Sequence, residues 1–352
     1  MSQTPKQIAE SLLERAVSSA NRALLPTFCA RLDSERPPSN TRHLTDTRTR
    51  VSSLLETVVG IEMNRLAMDD KGEAGSVSAV LWNVFPDLRV RDKSRQPLIG
   101  LEVKAVHTAA EEKSANLSTP LNSIRKGHDF LVILLWSWER ATDAGFEYLF
   151  PKIHKAYVLD AYQLAKARDY NWLAAEATGR FKAIDLSTAL ISPPGEATND
   201  RYQAEGGNLG KLMRIALPDD VASQHGPEML AVLNDFKAFQ NEALLFGVSQ
   251  TFKELCIEAG WQVEHIEVLE SFPASSVVIG RARGPGHKVF ALCGRFKKSE
   301  VVPGIAPGDT LVYFGRKLEW QVLKVGNDLV PVQLSDGKKA ESSYGQMISS
   351  LA

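Results

Sequence analysis

Cysteine is nearly absent from this chain: only Cys29, Cys256 and Cys293 occur in 352 residues, and no two of them are spaced for a zinc site or a disulfide framework. That scarcity suits a reducing compartment, so a cytoplasmic location is expected and the three thiols read as packing residues. Net charge is missing too. A formal charge of −1 and a pI near 6.7 give no overall pull on a polyanion, so any such partner must be met by a local basic cleft. There is no long apolar run: Phe130 to Trp136 is the longest, far short of the roughly 20 residues that cross a bilayer. The segment from Gln7 to about Ala23 carries Glu10, Glu14 and Arg15 in an amphipathic helical pattern, so neither a signal peptide nor a membrane anchor is expected. Low-complexity tracts and strong internal repeats are also lacking. What remains is a chain with 44% hydrophobic residues, enough for a real core in two domains or one elaborated domain.

The most informative stretch is Pro86-Asp87, followed by Glu102-Val103-Lys104 inside the apolar run from Leu98 to Val106. Side chains alternate along a strand, so Glu102 and Lys104 share one face while Leu101 and Val103 point to the opposite, apolar side. The segment from Val80 to Val90 also reads as a strand, and Arg91-Asp-Lys-Ser-Arg-Gln-Pro97 supplies turn residues that fold it back antiparallel. Asp87 is then expected beside Glu102. Two hard oxygen ligands so placed would hold Mg²⁺ and leave positions for a phosphate oxygen and an attacking water. Lys104 would stabilise charge on the phosphoryl oxygens or help deprotonate the water. The triplet alone decides little, because an acidic residue two before a lysine recurs at Asp69, Glu111, Asp235 and Asp336. Only Glu102 combines a strand-like apolar run with an upstream Pro-Asp at hairpin distance.

This stretch resembles the PD-(D/E)xK nuclease superfamily, and most of all type II restriction endonucleases. That family also places a glutamate on a helix before the hairpin, and the segment from Arg48 to Gly60 resembles that element. Apolar residues at Val51, Leu54, Leu55, Val58, Val59 and Leu66 predict the helix, ending near Asp69-Asp-Lys-Gly72. By resemblance Glu56 is the third carboxylate. Helical geometry leaves an alternative, since Glu62 projects nearer the centre of the apolar stripe; it is either the site member or an ion pair with Arg65. The resemblance spans roughly residues 45 to 215. It implies a mixed central sheet flanked by helices, a Mg²⁺ cofactor, double-stranded DNA as substrate, and a homodimer that cuts both strands.

Other segments fit around this core. The polar loop after Lys104 is either of the kind that contacts the substrate backbone in these nucleases, with Ser114, Asn116, Ser118 and Thr119 able to bind phosphate oxygens, or an ordinary surface loop. Gly206-Gly-Asn-Leu-Gly-Lys-Leu-Met-Arg214 is either a phosphate clamp through Lys211 and Arg214 or a flexible turn. Asp129 to Trp136 has the continuous apolar content of a buried central strand. Arg31, Arg36 and Arg42 mark a loop that is either a DNA-touching arm or a solvated connector. A further strand is predicted from Lys155 to Asp160, a helix from Ala161 to Ala177, and another strand from Arg180 to Ile191. From Gly226 to Ala259 a helix carries an apolar stripe, read as core or as a dimer face. From Trp261 onward the chain is β-like, predicting a small sheet or barrel that carries the basic residues Arg281, Arg283, Lys288, Arg295, Lys297 and Lys298.

The expectation is therefore an α/β protein: residues 1–215 as a nuclease core with an N-terminal helical extension, 216–260 as a helical segment, and 261–352 as a β-rich domain. Its expected activity is sequence-specific, Mg²⁺-dependent cutting of DNA by Asp87, Glu102, Lys104 and Glu56, with Asp87 and Glu102 on the metal. A structure-specific repair or junction nuclease, and a noncatalytic DNA-binding protein with a nuclease-like core, are the alternatives.

Overall fold

The computed structural model describes residues 3–27, 30–31, 41–69, 72–80, 85–108, 117, 119, 121–174, 227–271, 276–294, 302–315, 320–327 and 331–333. They form a mixed α/β architecture with two mixed six-stranded sheets and, among the described residues, four α-helices. The chain divides into two compact units, residues 1–107 with 113–239, and residues 108–112 with 240–352. The long helix α4 (Pro227–Ala259) is thus not a separate segment, since the division falls inside it between Phe239 and Gln240.

In the first unit, helix α1 (Pro5–Thr27) starts at a reciprocal cap: the Thr4 hydroxyl accepts from the Gln7 N–H (3.3 Å), and the Gln7 side chain accepts from the Thr4 N–H (2.9 Å). Its buried face is Ile8, Leu12, Leu13, Ala16, Ala20 and Leu24, a helical period. Helix α2 (Thr41–Asp69) buries Leu55, Val59, Met63 and Ala67 four residues apart. Both helices pack on one face of a sheet built from β1 (Ala30–Arg31), β2 (Ala74–Ala79), β3 (Leu88–Asp92), β4 (Pro97–His107), β5 (Asp129–Asp143) and β6 (Phe146–Asp160). The strand order is β1-β6-β5-β4-β3-β2, with β4 and β5 parallel and every other pair antiparallel. Helix α3 (Ala161–Ala174) follows at once, capped by the Asp160 carboxylate, which accepts from the Gln163 N–H at 3.0 Å.

Several expectations change here. The strand expected from Val80 begins only at Leu88, where Pro86, which has no N–H to give a ladder, is past; β2 lies upstream instead. Strands β5 and β6 are longer than expected and join through Ala144 and Gly145, both at positive φ (48° and 81°), the conformation of a tight two-residue hairpin loop. Arg31 belongs to β1 and lays its guanidinium over the Phe146 ring at 3.8 Å, so it is tied to the sheet. Arg36, the side chain of Arg42 and the strand expected from Arg180 to Ile191 lie outside the described residues.

The second unit holds β7 (Gln262–Ser271), β8 (Val277–Gly284), β9 (His287–Cys293), β10 (Thr310–Phe314), β11 (Trp320–Val325) and β12 (Pro331–Gln333) in that spatial order, with only β9 and β10 parallel. The α4 residues Val248, Phe252, Leu255 and Cys256 pack onto Val289, Ala291 and Cys293 of β9. The apolar stripe of α4, expected as core or as a dimer face, is core: in the first unit Met229 and Leu233 pack with Ala167, and Phe239 meets Tyr157. No helix among the described residues is long and apolar enough to cross a membrane.

Candidate active site

Strand β4 lies inside the first sheet, paired to β3 on one side and β5 on the other. Leu101 and Val103 are fully buried against the helices, which fixes the direction of the alternate residues Glu102 and Lys104. Their side chains meet directly, with Lys104 Nζ 2.7 Å from Glu102 Oε1. Because Leu88 pairs with Leu101, the hairpin brings Asp87 to the level of Glu102. Asp87 Oδ2 accepts from the Val103 N–H at 2.8 Å and stands 3.5 Å from Lys104 Nζ. From helix α2, Glu56 Oε1 accepts from the Ala105 N–H at 3.1 Å, while the neighbouring Ser52 hydroxyl donates to the Ala105 carbonyl (3.1 Å). Asp87, Glu102, Lys104 and Glu56 therefore converge.

Of the two helix glutamates, Glu56 is the one that reaches this cluster. Glu62 faces α1 instead, accepting from the Ser19 hydroxyl at 2.6 Å and from Arg65 at 2.9 Å, and those bonds hold its carboxyl below the usual range. It forms an ion pair with Arg65 within α2 and a hydrogen bond across to α1.

Electrostatics in the cluster follow from three carboxylates sharing one ammonium. Burial pushes Glu56 up to about 7, outweighing its bond to the Ala105 N–H and the attraction of Lys104, and nearby Asp87 and Glu102 raise it further. Burial likewise raises Glu102 against the pull of Lys104. Burial by itself lowers Lys104, but Glu102, Asp87 and Glu56 together outweigh it and keep the amine above its ordinary range, hence an ammonium at neutral pH. Beside the cluster runs a cleft of about 450 Å³ lined by Ser53, Glu56, Thr57, Ile61, Val80 and Asp87, among others. It is a size that holds a small ligand or part of a larger one.

No group of three or more His, Cys, Asp or Glu side chains among the described residues is arranged to hold a metal ion. Asp87 and Glu102 nevertheless form a pair of hard oxygen donors adjacent across the hairpin. Mg²⁺ needs only one or two protein carboxylates and fills its remaining positions with water, so this donor set fits it.

Two supporting residues escaped sequence reasoning. Gly100 lies in β4 where a Cβ would come 2.5 Å from Asp129 Oδ1 and 2.9 Å from Pro86 Cγ. Asp129 is buried at 2% exposure, bound to the Arg125 guanidinium (2.7 Å) and N–H (2.8 Å), and so packs its carboxylate against the strand that carries the site. A glycine inside an apolar strand was the available signal, since it marks a close approach.

The expected DNA contacts fare unevenly. Ser114, Asn116, Ser118, Lys211 and Arg214 lie outside the described residues, as do Arg295, Lys297 and Lys298. Thr119 is half-buried, whereas Arg281, Arg283 and Lys288 are exposed. Cys256 and Cys293 are buried free thiols, and burial pushes Cys256 up to about 12; Cys29 lies outside the described residues. The sequence matches no protein-family profile, and no curated protein is significantly similar to it.

Proposed function

We propose that this chain is a Mg²⁺-dependent endonuclease that cuts double-stranded DNA at a specific sequence, of the PD-(D/E)xK kind and most like a type II restriction enzyme. The observation that carries the reading is the convergence of Glu56, Asp87 and Glu102 on Lys104 at an internal strand, with the lysine 2.7 Å from Glu102 and 3.5 Å from Asp87. Asp87 and Glu102 would hold the metal, which supplies Lewis-acid polarisation of the phosphate and lowers the pKa of water.

The protein's own groups divide the remaining work. Lys104 stays an ammonium, so it is a donor to the non-bridging phosphate oxygens, where negative charge grows as water attacks. Glu56, with its carboxyl near 7, is matched to neutral pH as the base that receives the proton of the attacking water. The water oxygen bonds to phosphorus, its proton passes to Glu56, the bridging P–O bond breaks, and the departing oxygen takes a proton from solvent. Glu62 has no part in this, being held by Ser19 and Arg65. A homodimer acting in the cytoplasm completes the proposal, since a symmetric site is cut on both strands by a symmetric pair.

Incubating the protein with a long duplex and Mg²⁺ tests the reading. Discrete fragments support it. Preferential cutting of branched or damaged DNA points to a repair or junction nuclease, and duplex that is shifted on a gel but left intact points to binding alone.

A further inference from the structure

The two units share a fold that the sequence conceals. In the first, α2 is followed by β2, β3 and β4 as an antiparallel meander, then β5 parallel to β4, then β6 antiparallel to β5. In the second, α4 is followed by β7, β8 and β9 as an antiparallel meander, then β10 parallel to β9, then β11 antiparallel to β10. Among the described residues the sixth strand differs, β1 coming first in its unit and β12 last, and α1 and α3 have no counterpart in the second unit. The helix packs in each case on the same alternate residues of the third strand, Leu101 and Val103 in one and Val289 and Ala291 in the other.

A buried aspartate aligns the two copies. Asp129 opens β5 opposite Gly100, and its Oδ2 accepts the Arg125 N–H at 2.8 Å. Asp309 immediately precedes β10, and its carboxylate accepts the Ala306 N–H at 2.7 Å and the Lys288 N–H at 2.8 Å. Both are nearly inaccessible, at 2% and 5% exposure. Setting Gly100 on Lys288 puts Glu102 on Phe290 and Lys104 on Leu292. The hairpin partners follow: Leu88 pairs with Leu101 and Ala282 with Val289, so Asp87 falls on Arg281, which pairs with Phe290.

The chemistry of that face is inverted. Phe290 and Leu292, at the positions of Glu102 and Lys104, are each 1% exposed and close the face with Leu311 and Val325, so neither position offers a carboxylate or an ammonium. Arg281 reaches over the Phe290 ring at 5.6 Å. Arg281 and Arg283 alternate with buried Ala282, and Lys288 stands opposite Arg283, so three exposed cations share this side of the sheet. Arg283 meets Glu264 at 2.8 Å and Lys288 Nζ donates to the Gly304 carbonyl, but an exposed ion pair is worth little and yields readily to a phosphate.

We infer that the second unit is a noncutting copy of the first unit's core, in which the face that bears carboxylates there has become a phosphate-binding face for duplex DNA, through Arg281, Arg283 and Lys288. The inference rests on the proposed action on DNA. Each chain then holds one cutting site and one anchoring site. The anchor grips backbone and carries no sequence information itself.

Duplex binding by the full chain is measured in metal-free buffer across a salt series, for the parent, for an Arg281→Ala, Arg283→Ala, Lys288→Ala variant, and for an Arg281→Lys, Arg283→Lys variant. The alanine variant is expected to lose about 2–3 units from the slope of log K against log salt, one phosphate contact contributing about 0.9. The lysine variant is expected to keep the parent slope, and circular dichroism to be unchanged in both. An alanine variant with parental affinity and slope overturns the inference, and if the parent still cuts duplex with Mg²⁺ the nuclease proposal stands without it. A slope that falls as expected in a protein that never cuts leaves the anchoring face in place and removes the nuclease. A parent that binds no duplex overturns the inference, and one that also leaves duplex uncut with Mg²⁺ removes both.

Discussion

Replacing Glu56 with glutamine should make the protein more stable above neutral pH while removing its cutting. The carboxyl titrates near 7 in the fold against an ordinary 4.5, a difference of about 2.5 units. At 1.36 kcal/mol per unit this is about 3 kcal/mol, an upper figure because water reaches part of the side chain. The direction follows from proton binding. With the folded value raised, the native state holds more protons than the unfolded chain between about pH 4.5 and 7. Stability is therefore lost as pH rises through that window and stays low above it. Glutamine keeps the shape and an oxygen to accept the Ala105 N–H, but carries no charge to desolvate. Urea unfolding at pH 5, 6, 7 and 8 should show Glu56→Gln close to the parent at pH 5 and stabilised by about 2–3 kcal/mol at pH 8, with unchanged m. A difference that does not grow with pH, or a variant weaker than the parent at pH 8, refutes the argument from burial. Cleavage at pH 8 should meanwhile fall by at least about 100-fold if Glu56 accepts the proton.

Lys104→Ala should abolish cleavage yet leave duplex binding largely intact in gel shifts, and full activity in that variant would sink the proposed site. Glu62→Ala should lose about 1–2 kcal/mol in chemical unfolding by breaking the Ser19 and Arg65 contacts, while cutting per folded molecule stays near parental. Gly100→Ala should cost roughly 1–3 kcal/mol and depress cleavage, because the new methyl drives into Asp129 and Pro86 beside Asp87; parental stability would show that the aspartate can move aside at little cost. Mg²⁺ should raise the thermal midpoint more at pH 8 than at pH 5, since Glu102, whose carboxyl burial raises, must be ionised to hold it, and Asp87→Asn should erase the gain.

The parts of the site legible in the sequence are those set by local periodicity. Alternation around Leu101 and Val103 forces Glu102 and Lys104 onto one face, and a turn-rich segment returns Asp87 to them. Glu56 and Glu62 could not be separated this way, because helical geometry puts Glu62 nearer the centre of the stripe than Glu56, and it is Ser19, on another helix, that claims Glu62. Strand β2 was missed because Ala-Gly-Ser-Val-Ser-Ala has few residues of strong strand preference, and it is held by β3 and by Asn64, which accepts the Val77 N–H at 2.8 Å. The far halves of β5 and β6 were missed because mixed residues there, with Arg140 and Glu147 exposed, carry no apolar alternation. The shared topology of the two units left no trace in composition. It is written in strand order and register, and the positions that correspond, such as Glu102 and Phe290, have opposite chemistry.

Strand β4 sits third from the β2 edge, clasped by β3 and β5, with helices over its apolar face. From Pro97 to Leu101 its amides exchange with solvent only when the surrounding sheet comes apart, and beyond Leu101 the Asp87 and Glu56 carboxylates take the place of β3 on the Val103 and Ala105 N–H groups. Warming should therefore leave the carboxylate cluster intact until the first unit melts as a whole, so that the loss of its chemistry and the loss of its fold become one event.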